Sequence, residues 1–170
     1  APFCTAPVSA CSFGSPTNTP AELANIAAFL AHVDNFFTLN PDEPATVAAF
    51  LGRYNLSSPI TRRSGFSTAQ PSGYMEISSG AEYLNILGAD TACLLSPEGG
   101  GSFTLGIDEV DAVGDTVFVK YRPTGAPIPG VHESYLFSVF HMDPAGSGLI
   151  VGNDEWADSL STEIYADACS

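Results

Sequence analysis

The spacing of apolar residues changes once along the chain, and this change most constrains the fold. In segments before about residue 88, apolar residues recur every three or four positions, as one buried face of an α-helix requires. From about residue 102 they alternate with polar or small residues, which is typical of β-strands with one buried face. The predicted helices come first, and the strands after them are connected by turns. This order predicts an α+β fold with a mostly antiparallel sheet.

Three helices are predicted in the first part of the chain. The first begins at Thr19-Pro20-Ala21-Glu22, where Thr caps the helix, Pro takes the first helical position and Glu completes a capping box. It is expected to end near Leu39. The second is expected over 44–51, and the third over 79–88, where Ser79-Gly80-Ala81-Glu82 repeats the capping-box spacing.

A short strand at 60–66 and four longer strands are predicted to form the sheet. The longer strands are expected to cover, in order, about 103–107, 117–121, 131–142 and 149–156. In the longest of them, alternation assigns Tyr135 and Phe137 to one face and Leu136 and Phe140 to the other. We expect Phe137 to pack in the core.

The length of 170 residues and the hydrophobic fraction of 45% indicate one domain with a substantial core. We assign residues 1–18 to an irregular amino-terminal arm, residues 19–160 to the domain, and residues 161–170 to a tail tied by a disulfide. The net charge of −14 opposes binding to nucleic acids, whose phosphates require cations, and to anionic membrane surfaces.

The cysteines indicate an oxidising compartment. Their number is even, and three of the four lie near an end of the chain: Cys4, Cys11, Cys93 and Cys169. We therefore expect a secreted protein with two disulfides, for which three pairings remain open. Bonds from the ends to the body would hold termini that otherwise fray. A removed signal peptide and a glycan at the sequon Asn55-Leu56-Ser57 fit the same expectation. The cysteine and histidine spacings do not suit a zinc site, and no metal is expected.

The carboxy-terminal hairpin carries the most specific family resemblance. Phe140-His141-Met142-Asp143 leads through a loop to Leu149-Ile150, and Glu155-Trp156-Ala157-Asp158 follows. This order of aromatic, turn and acidic residues resembles the NTF2-like superfamily, in particular its SnoaL-like polyketide cyclases and scytalone dehydratases. The helix order and the strands at the end match over about residues 20–160. Two features depart from the family: a longer loop without the turn lysine, and the cysteine-bearing ends.

The resemblance implies a cone in which three amino-terminal helices pack on a strongly curved, mostly antiparallel sheet around an apolar cavity. Members of the superfamily include cyclases, dehydratases and isomerases that work without a cofactor, and also proteins that only bind ligands. Glu155 matches the acidic position of the family hairpin, where a carboxylate in an apolar cavity is suited to proton transfer. Its alternative role is a solvent-facing charge or an ion pair with an arginine.

Further site residues are predicted from their chemistry and strand position. His132 opens the longest predicted strand and is a candidate for proton transfer, since imidazole titrates near neutral pH; solvent exposure is its alternative. Asn153 lies one strand period from Glu155 and is a candidate for orienting a carbonyl. The remaining candidates for contact with a ligand are Tyr135, Trp156, Tyr83 and His32.

Two classes of function follow. The first is a secreted pocket protein that binds a small apolar or phenolic molecule, either as a lyase or isomerase without a cofactor or as a binder only. The second is a secreted interaction protein that uses its outer sheet face, on which NTF2-like domains often form homodimers. An accessory role on polysaccharides is a third interpretation, because the 11% of aromatic residues permits sugar stacking.

Overall fold

The computed structural model describes Cys4 and residues 7–64, 74–86, 104–124 and 136–156. Two helices, α1 and α2, span Pro20–Phe37 and Pro44–Leu51, and residues 80–86 form a third helix, α3. The six strands, numbered in chain order, are β1 Ile60–Ser64, β2 Tyr74–Ile77, β3 Thr104–Val113, β4 Thr116–Thr124, β5 Leu136–Met142 and β6 Ile150–Trp156. Strands β1 and β2 lie between α2 and α3 in the chain. This mixture of three helices and one sheet confirms the predicted α+β class.

The six strands form one curved sheet that does not close on itself, in the order β2-β1-β6-β5-β4-β3. All neighbouring strands are antiparallel except β1 and β6, which are parallel. Parallel pairing brings the backbones close at Gly152, where a Cβ atom would lie 2.9 Å from Oγ1 of Thr61. Strand β2 was not among the predicted strands, because four residues are too few to establish an alternating pattern.

The helix starts follow the predicted capping chemistry. At α1 the Thr19 hydroxyl accepts a hydrogen bond from the Glu22 backbone N–H, and the Glu22 carboxylate accepts one from the Thr19 N–H. The Ser79 hydroxyl likewise accepts from the Glu82 N–H at the start of α3. Helix α2 begins and ends at the predicted residues, with Gly52 as its C-cap.

Helix α1 lies on the inner face of the sheet. Its buried residues include Phe29 and His32, whose ring centroids lie 4.8 and 5.6 Å from that of Phe140 on β5. Alternation along β5 turns Ser138, Phe140 and Met142 to this inner face, where all three are buried. The core therefore lies between α1 and the concave side of the sheet.

The outer face of the sheet carries the alternate residues of the same strands. Phe137 is 50% exposed and Phe118 is 45% exposed. The expectation that Phe137 packs in the core was therefore wrong, because the helices cover only the other face of β5. His141 lies on this outer face as well, with its Nε2 atom 3.2 Å from Oδ2 of Asp154.

The amino-terminal arm is attached to the domain by hydrogen bonds and by one buried side chain. Cys4 exchanges backbone hydrogen bonds of 2.9 and 2.8 Å with Ile107 of β3. The carboxylate of Asp34 on α1 accepts from the backbone N–H groups of Val8 and Ser9, at 2.6 and 3.0 Å. Val8 itself is fully buried in the core.

One of the predicted disulfides is present, between Cys4 and Cys11. It closes a local loop within the arm and belongs to one of the three pairings that the sequence left open. Cys93 and Cys169 lie outside the described residues, as does the tail at 161–170. In the described part of the chain, no helix is both long enough and apolar enough to cross a membrane.

Replacing Asp34 with Ala is expected to detach the arm. The change removes two charge-assisted hydrogen bonds and should lower the free energy of unfolding by about 1–3 kcal/mol. Chemical denaturation measures the loss, and limited proteolysis should show earlier cleavage before residue 20. Asp42→Ala, at an exposed carboxylate, is the control with the same change of charge. Equal stability of the two variants would contradict the anchoring role.

Candidate ligand-binding site

A polar group lies on the inner face where β5 and β6 pair. The register sets Ser138 opposite Glu155 and Phe140 opposite Asn153. Asn153 is 4% exposed, and its side-chain Nδ2 donates a hydrogen bond of 3.2 Å to Oε1 of Glu155. Ser138 is 2% exposed. We call Ser138, Asn153 and Glu155 the inner-face polar group; it combines a hydroxyl, an amide and a carboxylate on two adjacent strands.

The alternation of side chains between the two faces of β6 explains this arrangement. Residues two apart on a strand share a face, so Asn153 and Glu155 both lie on the concave side. Asp154 between them turns outward to His141. Glu155 is partly buried, and the amide of Asn153 restrains one of its carboxylate oxygens. A carboxylate held in this way has a fixed direction from which to accept or donate a proton.

Three helix and loop side chains form a buried hydrogen-bonded chain over the same face. The hydroxyl of Tyr54 lies 3.2 Å from Nε2 of His32 and 2.8 Å from the hydroxyl of Tyr83. His32 comes from α1, Tyr54 from the connection after α2, and Tyr83 from α3. We call these residues the His32–Tyr54–Tyr83 chain. All three are at most 6% exposed.

Aromatic rings surround this chain and connect it to the sheet. The His32 ring lies 5.2 Å from Tyr54 and 5.5 Å from Phe50, measured between ring centroids. Phe140 lies 5.6 Å from His32 and is the strand partner of Asn153. Side chains of directly opposed strand residues are neighbours, so Phe140 separates the two polar sets by about one ring. Both sets therefore belong to the same inner side of the sheet.

Burial determines the charge state of His32. Removal from water lowers the pKa of His32 from 6.5 to about 3, and the positive charge of Arg53 adds to this effect. His32 is therefore neutral near neutral pH and serves as a hydrogen-bonding group. Among the described residues, its Nδ1 atom is buried without a hydrogen-bond partner.

Four of the sequence-predicted site residues lie together on the inner side of the molecule: Glu155, Asn153, Tyr83 and His32. His132 and Tyr135 lie outside the described residues, and of Trp156 only the strand position opposite Phe137 is described. Asn55 lies away from the inner face, where its Oδ1 accepts from the backbone N–H of Ser57 at 3.2 Å. Whether any of these residues acts in catalysis or carries a glycan stays a prediction.

Sequence reasoning missed Tyr54 as a member of the site. This residue follows a helix end at Gly52 and belongs to no periodic pattern, so nothing in the sequence indicates that it turns inward. Ser138 was not selected for the site either. Its place opposite Glu155 depends on the register between β5 and β6. Within the described ranges, no group of three or more His, Cys, Asp or Glu could hold a metal ion.

The low pKa of His32 predicts that stability falls in acid. The unfolded chain takes up a proton on this residue below about pH 6.5, whereas the folded protein does so only near pH 3. The unfolded state thus binds more protons across this window, and the free energy of unfolding should decrease by a few kcal/mol as the pH falls through it. Denaturation measured across this range tests the effect.

A variant without the buried histidine checks this prediction. His32→Gln removes the buried titrating group and should flatten the pH dependence over the same window, whatever its effect on absolute stability. An unaltered slope in His32→Gln would contradict the assignment.

Comparison with known proteins identifies the fold. No protein-family model matches the chain, and no curated protein matches it. Solved structures do match. A SnoaL-like polyketide cyclase from Jannaschia sp. CCS1 has a TM-score of 0.56 at 18% identity, over 88% of this chain and 95% of that one.

Two further solved structures match this chain to a similar extent. TerC, co-crystallised with polyporic acid, has a TM-score of 0.55 at 17% identity, over 84% of this chain and 98% of that one. An NTF2-like protein of unknown function from Burkholderia pseudomallei K96243 has a TM-score of 0.53 at 12% identity, over 86% of this chain and 98% of that one. Identities this low establish the architecture alone. The chain therefore has the NTF2-like fold that SnoaL-like proteins share.

Proposed function

We propose that this is a secreted protein that binds a small apolar or phenolic molecule on the inner side of the sheet and acts on it as a lyase or isomerase without a cofactor. The observation that carries the proposal is the contact between Asn153 and Glu155 on the inner face. Phe140, the strand partner of Asn153, and Phe50, whose ring packs on His32, are apolar rings that suit an aromatic ligand. TerC, which shares the fold, was co-crystallised with a small molecule, polyporic acid.

The proposed chemistry needs one group that moves a proton and others that orient the ligand. Glu155 removes a proton from a carbon next to a ligand carbonyl, and Asn153 keeps the carboxylate in position. Ser138, directly opposite Glu155, is in place to hydrogen-bond a ligand oxygen. The proton then returns to another ligand atom in an isomerisation, or leaves with a hydroxyl group as water in a dehydration. His132 is the proposed second proton-transfer group.

The His32–Tyr54–Tyr83 chain is neutral, and this favours a ligand whose main part is uncharged. Each of its groups can donate or accept a hydrogen bond, and none carries charge near neutral pH. Secretion is proposed from the Cys4–Cys11 disulfide, since such bonds persist in oxidising compartments.

The direct test is native mass spectrometry of protein purified from its source. A retained small molecule would identify the ligand class, and turnover of that molecule can then be measured. Glu155→Gln should reduce turnover by about 100-fold or more while the molecule still binds, because the amide cannot take up the proton. Asp154→Asn, the neighbouring carboxylate on the outer face, is the matched control and should retain activity. Equal turnover in both variants would reject the catalytic role of Glu155.

A second candidate function is self-association through the outer sheet face, which the exposure of Phe118 and Phe137 favours. Phe137→Ser should convert a dimer into a monomer in light scattering coupled to size-exclusion chromatography. Leu23→Ser, at an apolar α1 residue that is 45% exposed, should leave the mass unchanged. A monomeric wild-type protein at high concentration would contradict this candidate.

A further inference from the structure

In the part of the chain that the structure describes, Arg53 is a cation without a counter-ion. The chain has 19 Asp and Glu residues and only five Lys and Arg residues. The Arg53 side chain makes no ion pair and no hydrogen bond with any of the described residues. Lys120, by contrast, has its Nζ atom 3.6 Å from Oε1 of Glu109. None of the described carboxylates is therefore a partner for the Arg53 guanidinium.

The cost of this arrangement is physical. Arg53 is partly buried, so its side chain has lost part of its hydration and receives no charge-assisted hydrogen bond from the described residues in exchange. A guanidinium presents five N–H donors in a planar fork, and this fork matches the two oxygens of a carboxylate. An anion bound to Arg53 would supply the negative charge and the hydrogen-bond acceptors that the described part of the chain does not.

The position of Arg53 is fixed beside the candidate site. Its backbone N–H donates to the carbonyl of Phe50 at 3.1 Å, and its carbonyl accepts from the N–H of Ile150 at 2.8 Å. The next residue, Tyr54, is the middle member of the His32–Tyr54–Tyr83 chain. After burial, the positive charge of Arg53 is the second cause that lowers the pKa of His32.

We propose that Arg53 is an anion-binding position that holds the carboxylate of an aromatic acid while the apolar body of that acid lies against the rings around His32. This inference rests on the proposed function and narrows its ligand to an amphiphilic organic acid. The fork sets the orientation of the ligand, because a bidentate contact fixes both the distance and the plane of the carboxylate. Arg53 is thereby a specificity-determining residue and takes no part in proton transfer.

Two probes that differ mainly in charge test the inference: 2-naphthoate and 2-naphthol, titrated calorimetrically at neutral pH. Naphthoate is ionised under these conditions and naphthol is not. The wild-type protein should bind naphthoate about tenfold or more tightly than naphthol, the value of one charge-assisted hydrogen bond or more. Arg53→Gln should remove this preference and leave the affinity for naphthol unchanged.

The matched control is Lys120→Gln, which makes the same change in net charge on the outer face and should preserve the preference. Arg53→Lys keeps the charge without the fork and should bind naphthoate with intermediate affinity; it also serves if Arg53→Gln does not fold. Equal affinity for both probes in the wild-type protein, or equal weakening of both by Arg53→Gln, would overturn the role of Arg53 alone. Failure of the wild-type protein to bind either probe would overturn the proposed function and this inference with it.

Discussion

The packing of α1 on the concave face of the sheet is the contact on which the other features depend. Phe29 and His32 lie one turn apart on α1, and both contact the ring of Phe140 on β5. This contact buries His32 and sets which face of every strand is inner. It thereby turns Ser138, Asn153 and Glu155 toward the helices and leaves Phe118 and Phe137 exposed on the other side. Without a helix on that face, the same alternation would give the sheet no interior and the site no enclosure.

The inner side holds two kinds of polar group with different electrostatic properties. The inner-face polar group contains a partly buried carboxylate that an amide restrains. The His32–Tyr54–Tyr83 chain is more deeply buried, and burial keeps its imidazole neutral. The sheet side of the interior therefore holds the carboxylate, and the helix side holds a neutral imidazole with its two hydroxyl partners. Arg53 adds a positive charge at the helix side, so the proposed site would present a carboxylate, a neutral network and a cation around one set of aromatic rings.

Local sequence signals predicted the helices well because their ends depend on neighbouring residues. The Thr19–Glu22 capping box and the Pro44–Gly52 limits of α2 are formed as the sequence indicates. The alternation of β5 and β6 also predicted that Asn153 and Glu155 share a face. It could not predict which face the helices cover, so Phe137 was assigned to the core and lies outside it. Tyr54 and Arg53 follow a helix end, where no period fixes the direction of a side chain. The Cys4–Cys11 pairing was one of several that the sequence allowed.

By itself, the sequence determined the helices, most of the strands, the α+β class and which residues of a strand share a face, because propensity, capping and periodicity act between residues close in the chain. Tertiary structure alone decided that His32, Tyr54 and Tyr83 form one hydrogen-bonded chain, that Ser138 lies opposite Glu155, and that Arg53 has no counter-ion among the described residues. These relations join residues that are far apart in the chain. They depend on strand register and helix packing, which the burial of the whole core determines and no local pattern encodes.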